Sequence, residues 1–323
     1  MILLPPREVA CVQIRVPRAV FCQAHVGTRF MLMREIAICD NTDAKWKRRV
    51  DMKKILYLTD LYYEAKGRRY YEEDLYITGR LKEHFDIAIC HPKNSEAFEP
   101  AADLVVFRNT GAVSGCKDIY ESFVQRVRKN KLKTFNDFTG KADMRGKQYL
   151  IDLTLAGYPV IPTIDAIKNI DSLPETDTYV IKPKDGADSI GLEFLTGGEL
   201  RKRNLGVGKY LIQPAIDFRY EVSFYFINEK PEYAMYAPDK SQRWKLEPYE
   251  ASREDLAFAE KFIRWNDIKN GIQRVDACRT RDGELLLVEL EDLNPYLSIL
   301  ELDETARNAF IGDMTDALRK MTV

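Results

Sequence analysis

The chain has 323 residues, 45% hydrophobic and 31% charged, enough for two or three small domains of ordinary soluble composition. A formal net charge of −1 and a pI near 6.4 give no global basic field of the kind that draws nucleic acid or an anionic membrane. No apolar run approaches the roughly 20 residues needed to span a bilayer. The six cysteines lack CxxC or Cys/His spacing, which points to reduced thiols in a cytoplasmic protein rather than disulfides or a zinc site.

Residues 1–51 read differently from the rest. They hold nine Lys/Arg against five acids, leaving about −5 for the remainder, and three of the six cysteines (Cys11, Cys22, Cys39). Their apolar residues follow neither a helical nor a strand period, and no signal-peptide core is visible. At Met52 the text changes to MKKILYLTD. The expectation is that Met52 is the natural start and that 1–51 is an atypical extension; a genuine regulatory or targeting segment is the competing reading.

From Met52 the elements follow in order. Residues 53–60 read as a buried strand, 72–84 as an amphipathic helix, 85–90 and 103–108 as strands, and 119–129 as a helix. Strand, helix, strand at this spacing implies a small parallel α/β domain. It lacks a GxGxxG loop after its first strand, so a dinucleotide site is not expected there. Residues 141–156 read as helical, with Gly157 as the C-terminal cap. From Thr178 the pattern turns β-rich: YVIKP, a glycine loop, LEFL, KYLIQPAI, RYEVSFYFI and EYAMYA. A helix over 254–265, a hairpin from Ile272 to Glu291 and a closing helix over 304–321 complete the chain.

Two places carry chemistry. Lys182 ends an apolar strand, where a lysine without an anionic partner is rare. The loop from Gly186 through Ser189 to Gly191 follows it. A strand lysine and a glycine loop can lie over a triphosphate, the ammonium pairing with oxygens and the backbone N–H groups closing on them. A snorkelling lysine before an ordinary turn is the alternative.

In the hairpin, Asp282-Gly283 signals a two-residue turn. That places Arg281 opposite Glu284, Asp276 opposite Glu289 and Arg274 opposite Glu291, all four of the latter side chains on one face. Opposed carboxylates repel by a few tenths to roughly 1 kcal/mol; a divalent cation between them reverses the sign. Magnesium, which takes few carboxylates together with water and phosphate oxygens, suits that arrangement. A surface hairpin with an Arg274–Glu291 salt bridge is the alternative, and it leaves Asp276 facing Glu289 without a reason. Asn294-Pro295 offers a further neutral oxygen or simply ends the strand, and Asp292 points to the other face.

The order of these features, with Lys147 before AGYPVIPT and then Lys182, the glycine loop, YLIQPAI, RYEVSF, RVD and VELEDLNP, resembles the ATP-grasp superfamily. The likeness is to the branch of D-alanine–D-alanine ligase, glutathione synthetase and the ribosomal-protein glutamate ligase. It covers about residues 141–298 and the small α/β domain before them. The resemblance implies an α+β ATP-grasp fold, two α+β subdomains clasping ATP, behind a small parallel α/β domain. Its divisions would be 52–140 for the preceding domain, 141–205 for the lid-bearing subdomain and 206–323 for the subdomain with the metal site.

It further implies Lys147 and Lys182 as phosphate-binding lysines and Gly186 to Gly191, with Ser189, as the lid. Gln213 and Ile216 would lie at the adenine and Glu221 at the ribose, although Glu221 stands eight residues after Gln213 where six is commoner. Asp276 and Glu289 would hold one or two Mg2+ ions, and Arg274 the transferring phosphoryl group. The family reads Glu-x-Asn where this chain has Glu289-Leu290-Glu291, so either Glu291 or Asn294 completes the metal set.

The implied activity is an ATP-dependent carboxylate–amine (or thiol) ligase working through an acyl phosphate, with Arg274 and Lys182 catalytic. Its substrates would be small-molecule or peptide carboxylates and amines, with no nucleic acid or membrane partner and room for a homodimer. A small-molecule kinase and a nucleotide-binding module that has lost its chemistry are the other readings. The segment from Tyr236 to Glu250, with Lys240, Arg243, Trp244 and Lys245, is either a cap over the site or a solvated loop. His25, His84 and His91 are too scattered for catalysis.

Overall fold

A computed structural model describes residues 52–65, 68–108, 117–142, 146–184, 191–206, 208–242 and 245–323. Residues 1–51, Gly186, Ser189, Arg243 and Trp244 lie outside the described residues, and so do the expectations attached to them.

The first layer is a parallel sheet of β1 (Lys54–Leu58), β4 (Asp86–Cys90), β5 (Leu104–Phe107) and β6 (Thr134–Phe135), in the order β4-β1-β5-β6. A two-stranded arm, β2 (Glu64–Ala65) and β3 (Arg68–Arg69), follows β1. Helix α1 (Tyr71–Leu81) then returns across the sheet, and α2 (Lys117–Asn130) follows β5. The apolar runs ILYL and LVVF are buried along their whole length, as a strand covered on both faces requires.

The middle of the chain forms a three-stranded antiparallel sheet of β7 (Thr178–Pro183), β8 (Glu193–Thr196) and β9 (Tyr210–Pro214), in the order β8-β7-β9. The short helix α4 (Gly197–Lys202) leaves β8 through a capping box between Thr196 and Glu199. One face of this sheet is sealed by Tyr179, Ile181, Leu200 and Ile212. Because side chains alternate, Lys182, Leu211 and Gln213 occupy the opposite face. Leu211 joins the core of the next lobe.

That lobe is a five-stranded antiparallel sheet in the order β12 (Glu247–Pro248), β11 (Lys230–Ala237), β10 (Phe218–Ile227), β13 (Ile272–Thr280), β14 (Leu285–Glu291). Val222, Phe224, Phe226, Val275, Ala277 and Leu290 line one face. They pack against helix α5 (Arg253–Asn266) through Phe258, Ala259, Phe262 and Ile263, whose i, i+4 spacing makes one stripe. Ser252 caps α5 by accepting from the Asp255 N–H, and Asp267 ends it in the left-handed region at φ 59°. Burial of the Phe262 ring contributes roughly 1.5–3 kcal/mol, and its truncation to alanine is expected to cost about 3–5 kcal/mol with the cavity included. On the other face of the sheet, Tyr225, Ile227 and Met235 share a core with β1, α1 and the closing helix α6 (Glu304–Met321).

Two expectations need correcting. The helix anticipated over 141–156 is α3 (Gln148–Leu155), and Lys147 sits at its N-terminal cap position rather than within it. Gly146, at φ 74°, interrupts the helical path, and the Lys147 N–H bonds the Lys184 carbonyl at 3.1 Å, tying this segment to the end of β7. Gly157, at φ 72°, closes α3 as anticipated.

The hairpin turn is also one residue longer than anticipated. Thr280 pairs with Glu284, and Gly283 adopts φ 95°. The ladder from Arg279–Leu285 to Ala277–Leu287 is therefore offset by one from the expected register. A bulge at Val288 restores it, so Asp276 faces Glu289 and Arg274 faces Glu291. Without that bulge, the longer turn would put the acids of β14 on the apolar face.

Candidate active site

The site is built on the polar face of the five-stranded sheet. Pairing places Glu221 beside Cys278, Ser223 beside Asp276 and Tyr225 beside Arg274, all on the face that also carries Glu289 and Glu291. Oxygens of Asp276, Glu289 and Glu291 lie within 4.8 Å of one another. The Ser223 hydroxyl donates to Asp276 Oδ1 at 2.6 Å, fixing that carboxylate from the neighbouring strand. Donors of this type and spacing fit a hard divalent ion that also takes phosphate oxygens.

Arg274 is held on three sides. Its Nε donates to Asp276 Oδ1 at 2.9 Å, its Nη2 to Glu291 Oε1 at 2.5 Å, and its Nη1 to the Tyr296 carbonyl at 2.8 Å. Burial opposes its charge, yet Asp276 and Glu291 overcome that and keep the guanidinium firmly protonated. Lys147 reaches in from the start of α3 and pairs with Glu289. Burial would raise the Glu289 carboxyl, but Lys147, Lys182 and Arg274 together hold it below the usual range.

Lys182 approaches from the small sheet. Burial, and then the nearby charge of Lys147, lowers its ammonium to about 8, with Glu289 opposing the shift. Three cations and three carboxylates thus meet where the two sheets face each other. Immediately after Lys182 the chain leaves for the glycine loop and returns at Gly191. There φ is 75° and an added Cβ would stand 2.9 Å from Pro183, so only glycine fits.

Gln213 is buried on the same face as Lys182, its amide donating to Thr163 Oγ1 at 2.8 Å. Ile216 follows in the half-buried link to β10. Asn294 lies three residues beyond Glu291, in the loop after β14, while Glu291 itself is in the carboxylate cluster. Lys240 is committed elsewhere: it bonds Asp217 Oδ1 at 3.2 Å and covers the Phe218 ring. His84 sits against Arg319, and His91 against Asp60.

Sequence reasoning missed Ser223, Thr163 and the Tyr296 carbonyl that accepts from Arg274. Ser223 stands two residues after Glu221, so alternation already put the two on one face; what was not readable was that β10 neighbours β13. It also missed Arg108, Glu73 and Asp74. All three are fully buried, Arg108 donating from Nη2 to Glu73 Oε1 at 2.7 Å and from Nε to Asp74 Oδ1 at 3.2 Å. Glu73 and Asp74 fall in the amphipathic helix read over 72–84 and Arg108 ends the strand read over 103–108, and no local pattern marks their charges as interior.

No protein-family model and no curated protein matches this sequence. Solved structures do. D-cycloserine synthetase DcsG is 20% identical, with a TM-score of 0.65 over 83% of this chain and all of that one. D-Alanine–D-alanine ligase from Bacillus anthracis, in complex with ATP, is 12% identical, with a TM-score of 0.61 over 84% of this chain and 98% of that one. The ATP-grasp ligase PsnB, in complex with Mg, ADP and a precursor variant, is 14% identical, with a TM-score of 0.55 over 83% and 97%. The chain has the ATP-grasp fold, as the motif order implied. Among the described residues, no helix is long and apolar enough to cross a membrane.

Proposed function

We propose that this protein is an ATP-dependent carboxylate–amine (or thiol) ligase that binds Mg-ATP between its small and large sheets. The observation that carries the reading is the meeting of Arg274, Asp276, Glu289 and Glu291 on one sheet face with Lys147 and Lys182 opposite. A protein that merely binds nucleotide has no need of a guanidinium fixed by three acceptors at the phosphoryl end. The solved neighbours named above, ligases seen with ATP or with Mg and ADP, support the same reading.

In this reading Gln213 and Ile216 receive the adenine and Glu221 the ribose. Lys147, Lys182 and the loop ending at Gly191 hold the phosphates. Asp276, Glu289 and Glu291 would hold magnesium, which supplies charge neutralisation along the phosphate chain when bound. A substrate carboxylate attacks the γ-phosphorus, the bond to the β-bridging oxygen breaks, and ADP leaves with that oxygen. Arg274 and Lys182 stabilise the charge spread over the transferring oxygens. An amine (or thiol) then attacks the acyl carbon of the acyl phosphate, expelling phosphate and losing its proton. Positioning and electrostatics suffice, and no nucleophilic Ser or Cys is required. The substrates proposed are small-molecule or peptide acids and amines, in a cytoplasmic setting.

Calorimetry of Mg-ATP binding to the full chain and to Lys182→Ala, Asp276→Ala and Glu289→Ala tests this. Magnesium-dependent binding that the three changes abolish is expected; a folded wild-type protein that binds no Mg-ATP would refute the ligase. Release of ADP with no free phosphate would transfer the assignment to a kinase.

A further inference from the structure

Three tyrosine rings, those of Tyr63, Tyr70 and Tyr296, meet at the carboxyl end of the parallel sheet, and the proposed chemistry uses none of these side chains. Tyr63 follows β1, Tyr70 is the residue just before α1, and Tyr296 lies in the loop after β14. The Tyr63 and Tyr70 rings stack with centroids 5.4 Å apart and an interplanar angle of 17°. The Tyr296 ring meets Tyr70 edge-on at 4.6 Å. Residues more than two hundred positions apart in sequence therefore form one aromatic surface.

Three observations set this surface apart from ordinary core. None of the three belongs to a buried apolar cluster. Tyr63, Tyr70 and Tyr296 are all part-exposed. Its inner end is fixed to the phosphoryl end of the site, because the Tyr296 carbonyl accepts from Arg274 Nη1 at 2.8 Å. Open α/β sheets place ligands at the carboxyl ends of their strands, and stacked or edge-on ring geometry favours a further aromatic or flat apolar group.

We propose that Tyr63, Tyr70 and Tyr296 form the specificity wall for the acid that is activated, and that this acid carries an aromatic or large apolar side chain. The inference rests on the ligase reading. The carboxylate that attacks the γ-phosphorus must lie next to Arg274, so its side chain extends along the surface that begins at Tyr296. A small dicarboxylic or hydroxy acid would gain little from rings and would demand cationic or amide partners instead.

Hydroxylamine trapping tests this without knowledge of the natural amine. The nitrogen of hydroxylamine attacks the acyl carbon, phosphate leaves, and a hydroxamate forms. The full chain with Mg-ATP would be given 3-phenylpropanoate, indole-3-acetate, L-phenylalanine, acetate, succinate and L-glutamate. Aromatic acids are expected to exceed acetate and succinate at least tenfold in kcat/KM. Tyr70→Ala and Tyr296→Ala should erase that advantage mainly through KM, Tyr296→Phe should keep it within about threefold, and Mg-ATP binding by calorimetry should not change in Tyr70→Ala. Preference for the small or dicarboxylic acids would overturn the wall. So would a loss equal for every acid in the alanine variants, or no hydroxamate from any acid by a protein that binds Mg-ATP. Absence of Mg-ATP binding in the wild type is a separate result that overturns the ligase reading itself.

Discussion

Arg108, just after β5 of the parallel sheet, and Arg274, on β13 of the antiparallel sheet, donate to consecutive carbonyls of one loop: Arg108 Nη1 to Pro295 O at 2.6 Å and Arg274 Nη1 to Tyr296 O at 2.8 Å. The next residue, Leu297, gives its N–H to both Glu73 carboxylate oxygens at 3.0 Å, and its carbonyl accepts from the Tyr233 hydroxyl at 2.7 Å. The loop after the candidate metal carboxylates is therefore held from the parallel sheet and from the antiparallel sheet at once.

Removal of Arg108 should be severe. Its side chain is fully buried, and it compensates Glu73 and Asp74, which are equally buried. Arg108→Met leaves two acids without their cation, which typically costs about 3–5 kcal/mol. Urea denaturation should show that loss, whereas Arg281→Met, at a pair open to solvent, should leave the midpoint close to that of the wild type. Equal midpoints for the two variants would contradict the account.

Glu291 stands where the ATP-grasp pattern has asparagine, and it is Glu291, in the cluster with Asp276 and Glu289, that we expect to complete the metal set. Glu291→Asn should keep Mg-ATP binding within about tenfold, because an amide oxygen remains available to the ion. Asn294→Ala should alter it by less than threefold. Titration of Mn2+ into the ADP complex, followed by electron paramagnetic resonance, measures both. A larger loss in Asn294→Ala than in Glu291→Ala would reverse the assignment.

The strands and their faces were legible because alternation and 3.6-residue periodicity are local signals; β1, β5, β7, β10 and α5 all fall where ILYL, LVVF, YVIKP, RYEVSFYFI and the stripe of α5 put them. The facing of Asp276 and Glu289 was legible too, but through two departures that cancel, a longer turn and a bulge at Val288. Neither leaves a sequence signature of its own. Interior charge was illegible for another reason: Glu73 and Arg108 are stabilised by partners 35 and 187 to 224 positions away, and no local pattern encodes a partner at that distance.

Stability should decline as pH rises through neutrality, with Glu232 contributing. Its side chain is 4% exposed, and burial and then the neighbouring Asp313 raise its carboxyl to about 8, with Lys230, 3.6 Å from its Oε1, opposing the shift. A carboxyl whose folded pKa lies above its ordinary value binds its proton more tightly when folded. Its contribution is complete below about pH 4.5 and is lost as pH climbs to about 8, with a slope of at most roughly 1.4 kcal/mol for each pH step of one. Glu232→Gln should flatten that slope, so the variant gains on the wild type between pH 6 and 8 in denaturant titrations. A parallel decline in both proteins would rule Glu232 out as the cause.

On the proposed reading, Lys182 should make nucleotide binding pH-dependent with the opposite protonation bias. Burial and Lys147 lower its ammonium to about 8, so without nucleotide it is charged below that pH and neutral above it. Phosphate oxygens favour the charged form. Mg-ATP binding above pH 8 must then draw a proton from solution, and affinity should fall there by up to about tenfold per pH unit. Calorimetry at pH 7 and pH 9, each in two buffers of different ionisation enthalpy, counts the protons. Uptake should be small at pH 7 and approach one proton at pH 9. Lys182→Arg, which stays charged throughout, should bind without uptake at either pH. Equal uptake by the variant at pH 9 would place the titrating group elsewhere in the site.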